Sequence, residues 1–97
     1  DVLLPQAERI KQERAKLLAA LNIIGDVRAY SSEANFVLFR VAHATQGFEG
    51  LKQRGILIKN LNGGHPALTD CLRVTVGTPE EDEKFIAALQ DTLNQLA

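Results

Sequence analysis

Cys71-Leu72-Arg73-Val74-Thr75-Val76-Gly77-Thr78-Pro79-Glu80-Glu81 reads as a short strand running directly into a capped helix. Alternation with period two puts Leu72, Val74 and Val76 on one face and Arg73 and Thr75 on the other. Thr78 then supplies an N-cap, Pro79 the first helical position and Glu81 the capping-box acid three residues after the cap. With the apolar strand face packed on a core, Arg73 points away from that core on a rigid element. Its guanidinium offers a planar fork of donors that suits a carboxylate or a phosphate bidentately. Taken alone, the same residue also fits a solvated arginine on the polar face of an ordinary strand.

The pattern extends outward on both sides. The closing helix carries Phe85, Ile86, Leu89, Leu93 and Leu96 as its buried stripe. Toward the N-terminus, a helix is expected from about Pro5 to Ile24, with Ile10, Leu17, Leu18, Leu21 and Ile24 as its stripe and Gly25 as a left-handed cap. Val27 to Tyr30 reads as a strand and Ser31 to Glu33 as a polar turn. Asn35 to Val41 reads as a central strand: Phe36 and Leu38 face one way, Val37, Phe39 and Val41 the other. His43 to Arg54 is a helix stopped by Gly55, with Phe48 and Leu51 inward, and Ile56 to Ile58 a third short strand. Asn60 to Asp70, with Asn62-Gly63-Gly64 and His65-Pro66, is loop. The order α-β-β-α-β-β-α describes an α+β domain: a small, mainly antiparallel sheet covered by helices.

At 97 residues the chain holds one domain with a single modest core. A net charge of −1 gives no electrostatic reason to bind nucleic acid or a membrane surface, and no apolar run approaches the ~20 residues of a transmembrane helix. The central strands lack the basic and aromatic pattern of an RNA-binding sheet. Cys71, the single cysteine, is expected as a reduced, buried thiol in a cytosolic protein. The chain begins without Met and inside an apolar-striped helix, so a fragment or expressed domain is expected.

Few residues carry chemistry. His43 and His65 are isolated, without further ligands at metal-binding spacing, so no metal is expected. Gly63-Gly64 lacks the flanking pattern and the following Lys-Ser/Thr of a phosphate loop. The acids from Glu80 to Glu83 suit the positive end of the helix dipole. Asn60 and Asn62 read as turn formers. No nucleophile–base pair is present, so no catalytic residue is assigned within the chain.

Leu72-Arg73-Val74-Thr75-Val76-Gly77-Thr78-Pro79-Glu80-Glu81 resembles the end of histidinol-phosphate aminotransferases, where an L-R-[IV]-T-[IV]-G segment precedes the last helix. Ser32-Glu33-Ala34-Asn35-Phe36-Val37-Leu38, and Gly55-Ile56-Leu57-Ile58-Lys59-Asn60 with its loop, match the same family in the same order. Residues 1–97 are thus similar to its C-terminal small domain alone, with residues 1–25 a leading helix that continues from a large domain absent here. The resemblance implies a cytoplasmic, pyridoxal-phosphate-dependent transaminase of histidine biosynthesis, a homodimer. It would convert histidinol phosphate and 2-oxoglutarate to imidazole-acetol phosphate and glutamate. The cofactor and its lysine would belong to the large domain, so the isolated piece is expected to bind no pyridoxal phosphate and to be inactive.

In the family, the arginine matched by Arg73 binds the acidic end of the substrate: the α-carboxylate of glutamate, with the phosphate of histidinol phosphate as the alternative group. Lys59 stands where relatives often have an arginine that helps hold the phosphate, and a lysine there acts as a point charge without the fork. Asn35 falls near the substrate side, or bonds its own turn. The small domain of a related aromatic amino acid aminotransferase would also keep Arg73. From another class, composition and element order permit a free-standing ferredoxin-like module that binds or senses a small molecule.

Overall fold

The computed structural model describes residues 6–30 and 35–96. Its elements are helix α1 (Gln6–Ile23), strands β1 (Val27–Tyr30) and β2 (Phe36–Val41), helix α2 (Ala44–Gln53), strands β3 (Lys59–Asn60) and β4 (Cys71–Thr75), and helix α3 (Pro79–Leu96). A short 3-10 helix, Pro66–Leu68, lies in the loop before β4. The strands form one antiparallel sheet in the order β1-β2-β4-β3. β2 and β3 therefore run the same way with β4 between them, and α2 makes the crossover.

Side-chain parity divides the sheet into two unlike faces. Val27, Val37, Phe39, Val41, Leu72 and Val74 all point inward and are buried with Leu17 and Leu21 of α1, Ala44 and Leu51 of α2, and Phe85 and Leu89 of α3. Phe39 and Phe85 meet edge-to-face, with centroids 5.8 Å apart. All three helices thus stack on one face, as the alternation in β2 and β4 requires. The other face carries Arg28, Tyr30, Phe36, Leu38, Arg40, Lys59, Arg73 and Thr75.

The helix ends follow local chemistry. At α3 the Thr78 hydroxyl accepts the Glu81 N–H at 3.2 Å while Glu81 Oε1 accepts the Thr78 N–H at 2.9 Å, a complete capping box. α2 ends at Gly55, whose φ of 83° lets Ile56 N–H reach back to Leu51 O and Gly55 N–H to Lys52 O. At the other end of α2, His43 is the N-cap in a left-handed conformation without a side-chain cap, so the helix starts one residue later than expected.

Several expectations need correction. Gly25 does not adopt positive φ; α1 ends in plain turns in which Ile24 N–H bonds Leu21 O and Val27 N–H bonds Ile24 O. Asn22 then ties the helix end to β1 by accepting the Ala29 N–H at 2.9 Å. The third strand is Lys59–Asn60 rather than Ile56–Ile58, because the capping bonds at Gly55 hold Ile56 on α2 and pairing with β4 begins only at Lys59. The side chains still alternate before it: Ile56 and Ile58 pack on the core and Leu57 is 76% exposed. β4 starts at Cys71 rather than Leu72, although Val76 N–H still bonds Asn35 O at 2.9 Å beyond its end. Leu96 is 41% exposed, since the last turn of α3 is not covered. Pro5 and the Ser31–Glu33 turn lie outside the described residues.

Candidate functional site

Four cations, Arg28 on β1, Arg40 on β2, Lys59 on β3 and Arg73 on β4, project from the sheet face opposite the helices, and none of the four strands contains a carboxylate. Lys59 lies directly opposite Arg73 in the β3–β4 register, and Arg28 opposite Arg40 in the β1–β2 register. Like charges in directly opposed sheet positions repel, so each pair calls for something that disperses its charge.

The two arginines of the central strands meet this differently. Arg40 donates from Nε to Thr69 O at 3.0 Å, from one terminal nitrogen to Tyr30 Oη at 2.9 Å and from the other to Ala67 O at 2.8 Å. It is thereby a structural clamp that holds the 66–70 segment against the sheet, over the buried Cys71 opposite it. Arg73 forms no hydrogen bond or ion pair among the described residues; its one specific contact is the Phe36 ring, 4.9 Å from Cζ to centroid. Half-buried between Leu38 and Lys59, it keeps its donor edge free of the described residues.

The loop between Lys59 and Arg73 is tightly braced. Asn60 Oδ1 accepts the Asn62 N–H, Asn62 Oδ1 accepts the Asp70 N–H, and Asn62 Nδ2 donates to the Thr45 hydroxyl at 3.1 Å. Gly63, at φ 91°, makes the turn closed by Gly64 N–H to Leu61 O, and His65 Nδ1 caps the 3-10 helix through Ala67 N–H. Asn60 and Asn62 are turn formers, as read from the sequence, and His65 serves its own loop. Asn35 is exposed beside the start of β2, its carbonyl bonded to Val76 N–H. The structure therefore brings Lys59 and Arg73 together on one face, with Asn35 at the end of the neighbouring strand.

One pair of acids was not anticipated. Asp82, 7% exposed, accepts the Gly77 N–H at 3.0 Å through Oδ1, while its buried Oδ2 meets no donor among the described residues. Facing it from α1 is the carboxyl of Glu13, which also accepts from Lys16 at 3.3 Å. Burial, offset in part by the Gly77 N–H and reinforced by Glu13 and Glu81, raises the Asp82 pKa to about 6. A carboxyl–carboxyl contact is a hydrogen bond only when one partner is protonated, so this is a proton-dependent tie between α1 and α3. The sequence did hold a signal: Asp82 lies three residues before Phe85 and seven before Leu89, on the buried stripe of its helix.

No group of three or more metal-ligating side chains occurs among the described residues, and no helix among them is long and apolar enough to cross a membrane. Lys11, Lys16, Lys52, Lys59 and Lys84 are all exposed. None of the five is desolvated among the described residues, and desolvation is one of the conditions that activate a Schiff-base lysine.

The profile of the family described as "Aminotransferase class I and II" matches residues 4–89. A histidinol-phosphate aminotransferase from Methylibium petroleiphilum is 50% identical over 94 residues, which is 97% of this chain and 25% of that protein. The histidinol-phosphate aminotransferase structure from Clostridium acetobutylicum superposes with a TM-score of 0.78 at 30% identity, covering 89% of this chain and 27% of that one. The histidinol-phosphate aminotransferase from Sinorhizobium meliloti, solved with pyridoxal-5'-phosphate, shares the fold with a TM-score of 0.81 at 23% identity, over 93% of this chain and 25% of that one. The chain thus spans about a quarter of the length of the curated relatives it matches.

Proposed function

Because the chain belongs to the class I and II aminotransferase family, we propose that residues 1–97 are the C-terminal, substrate-gripping small domain of a pyridoxal-phosphate-dependent histidinol-phosphate aminotransferase of histidine biosynthesis. Arg73 carries the reading: an arginine on a strand paired on both sides, with its donor edge unused among the described residues, opposite a second cation and on strands that contain no carboxylate. A bidentate anion disperses the charge that the Lys59–Arg73 pair concentrates. The α-carboxylate of glutamate or 2-oxoglutarate, or the phosphate of histidinol phosphate, is that anion. Lys59 adds a point charge at its flank and Asn35 a polar contact at the strand end.

The cofactor, when bound, supplies the electron sink for amino transfer, and it is held by the large domain of the same polypeptide. This piece alone is therefore inactive. Its part is to orient the substrate anion and to form one wall of a cleft that the large domain closes. The parent is a cytoplasmic homodimer that acts on small molecules and not on nucleic acid or membranes. A ferredoxin-like module has a similar strand order, but the family match along residues 4–89 favours the aminotransferase.

The test is steady-state kinetics of the full-length enzyme with glutamate and with histidinol phosphate. Arg73→Lys keeps the charge and loses the fork, and kcat/KM should fall by roughly 2–5 kcal/mol in transition-state stabilisation. The bound-cofactor absorbance should be unchanged. Lys59→Ala should cost less and mainly affect the phosphate-bearing substrate. A wild-type kcat/KM for both substrates in Arg73→Lys returns Arg73 to the role of a solvated strand residue. An aromatic amino acid as donor, compared with histidinol phosphate, separates this reading from a related aromatic aminotransferase.

A further inference from the structure

We propose that Phe36 is a positioning residue for Arg73: its ring sets the plane of the guanidinium and presents the donor edge to the substrate anion. The proposal rests on Arg73 being the anion grip. Phe36 opens β2 opposite Thr75, and Arg73 lies opposite Leu38, so the two are diagonal neighbours on one face of adjacent strands. Cζ of Arg73 stands 4.9 Å from the ring centroid. A guanidinium can be stacked through its flat face while all its N–H groups point outward along the edge. Since no hydrogen bond among the described residues orients this fork, the ring is the contact that sets its plane.

Arg40 supplies the contrast within the same sheet. It also has an aromatic neighbour, Tyr30, at 5.7 Å, but its edge is taken up by the Tyr30 hydroxyl and two backbone carbonyls. Phe36 meets Arg73 through its ring. It restricts the rotamers of a long side chain before the ligand arrives and leaves every donor for the ligand, which is preorganisation at a binding site. Its own position is secured by the β2–β4 ladder and by the bond from Val76 N–H to Asn35 O beside it.

The experiment uses the full-length enzyme with glutamate as the acidic donor, comparing Phe36→Leu, Phe36→Tyr, Arg73→Lys and the double variant Phe36→Leu/Arg73→Lys. Phe36→Leu should raise the KM for glutamate about 3- to 10-fold with a smaller change in kcat and an unaltered cofactor spectrum. Phe36→Tyr, which retains the ring, should restore most of the affinity. The double variant should be little worse than Arg73→Lys, because both changes act through one contact. Should Phe36→Leu not fold, Phe36→Met makes the same comparison with a side chain of similar volume. A wild-type KM in the ringless variant, no rescue by Tyr, or strictly additive effects would overturn the proposal. If Arg73→Lys raises KM and Phe36→Leu does not, the positioning role alone falls; if Arg73→Lys leaves KM unchanged, the grip itself falls.

Discussion

Replacing Asp82 with Asn should stabilise the 97-residue chain at alkaline pH and remove most of its pH dependence near neutrality. In the native protein Oδ1 accepts the Gly77 N–H, Oδ2 meets no donor among the described residues, and the Glu13 carboxyl lies against the group. The folded-state pKa is raised from 3.8 to about 6, so the native state holds the proton more tightly than the unfolded chain. Below the unfolded value both states are protonated and the site has no adverse effect. As pH rises through that value toward the folded pKa, stability is lost, and the full penalty is present above it. One pKa unit corresponds to ~1.36 kcal/mol; discounted for the solvent that enters the open groove between α1 and α3, the penalty is on the order of 1–2 kcal/mol. The Asp82→Asn amide keeps the acceptor for Gly77 and adds an N–H donor toward Glu13 that needs no proton. Urea denaturation from about pH 4.5 to 8 measures the difference. With a slope of about 1 kcal/mol/M, the variant's midpoint should exceed the wild type's by about 1–2 M at high pH, with the gap closing toward low pH. Lys16, Glu81 and Glu83 surround both proteins equally, so their contributions largely cancel. A control that leaves Asp82 in place, Glu13→Gln, should flatten the same profile in part, since burial, the largest cause of the shift, remains. A gap that stays constant with pH, or a variant less stable at high pH, would refute the shared-proton account.

Other perturbations probe the packing and the division of labour. Thr78→Ala should cost roughly 0.5–2 kcal/mol by opening the capping box, and Leu89→Ala, fully buried, roughly 2–5 kcal/mol; denaturant melts that reverse this order would contradict the packing of α3. A Cβ added at Gly50 would lie 2.5 Å from Thr92 Cγ2, so Gly50→Ala should destabilise by about 1–3 kcal/mol, and adding Thr92→Ser, which removes that methyl, should recover much of the loss in thermal melts. Incubating the isolated chain with pyridoxal phosphate and then borohydride should leave no stoichiometric adduct on peptide mapping, whereas a unique modified lysine would mean that this piece binds the cofactor itself.

Much of the fold was legible because its signals are local. Period-two alternation in β2 and β4 named the buried faces before any partner was known, and Thr78-Pro79-Glu80-Glu81 marked the start of α3 through bonds made within one turn. Arg73 could be assigned to the polar face by the same parity. The misplaced third strand shows where this stops. Ile56, Leu57 and Ile58 alternate like a strand, but a ladder needs a partner within reach, and that depends on where β4 lies.

What the tertiary structure decided was which distant residues share a surface. Nothing local distinguishes Arg40 from Arg73, two arginines on polar strand faces; the folded loop places two carbonyls and a tyrosine hydroxyl around the first, and among the described residues the second meets a ring instead. Nor does spacing along the chain bring Lys59 opposite Arg73 or Glu13 against Asp82. Side-chain direction in the strands and the capping box of α3 come from the residue and its immediate neighbours, so sequence determined them. Hydrogen-bond partners and desolvation depend on elements far apart in the chain, and these exist only once the sheet and helices have packed.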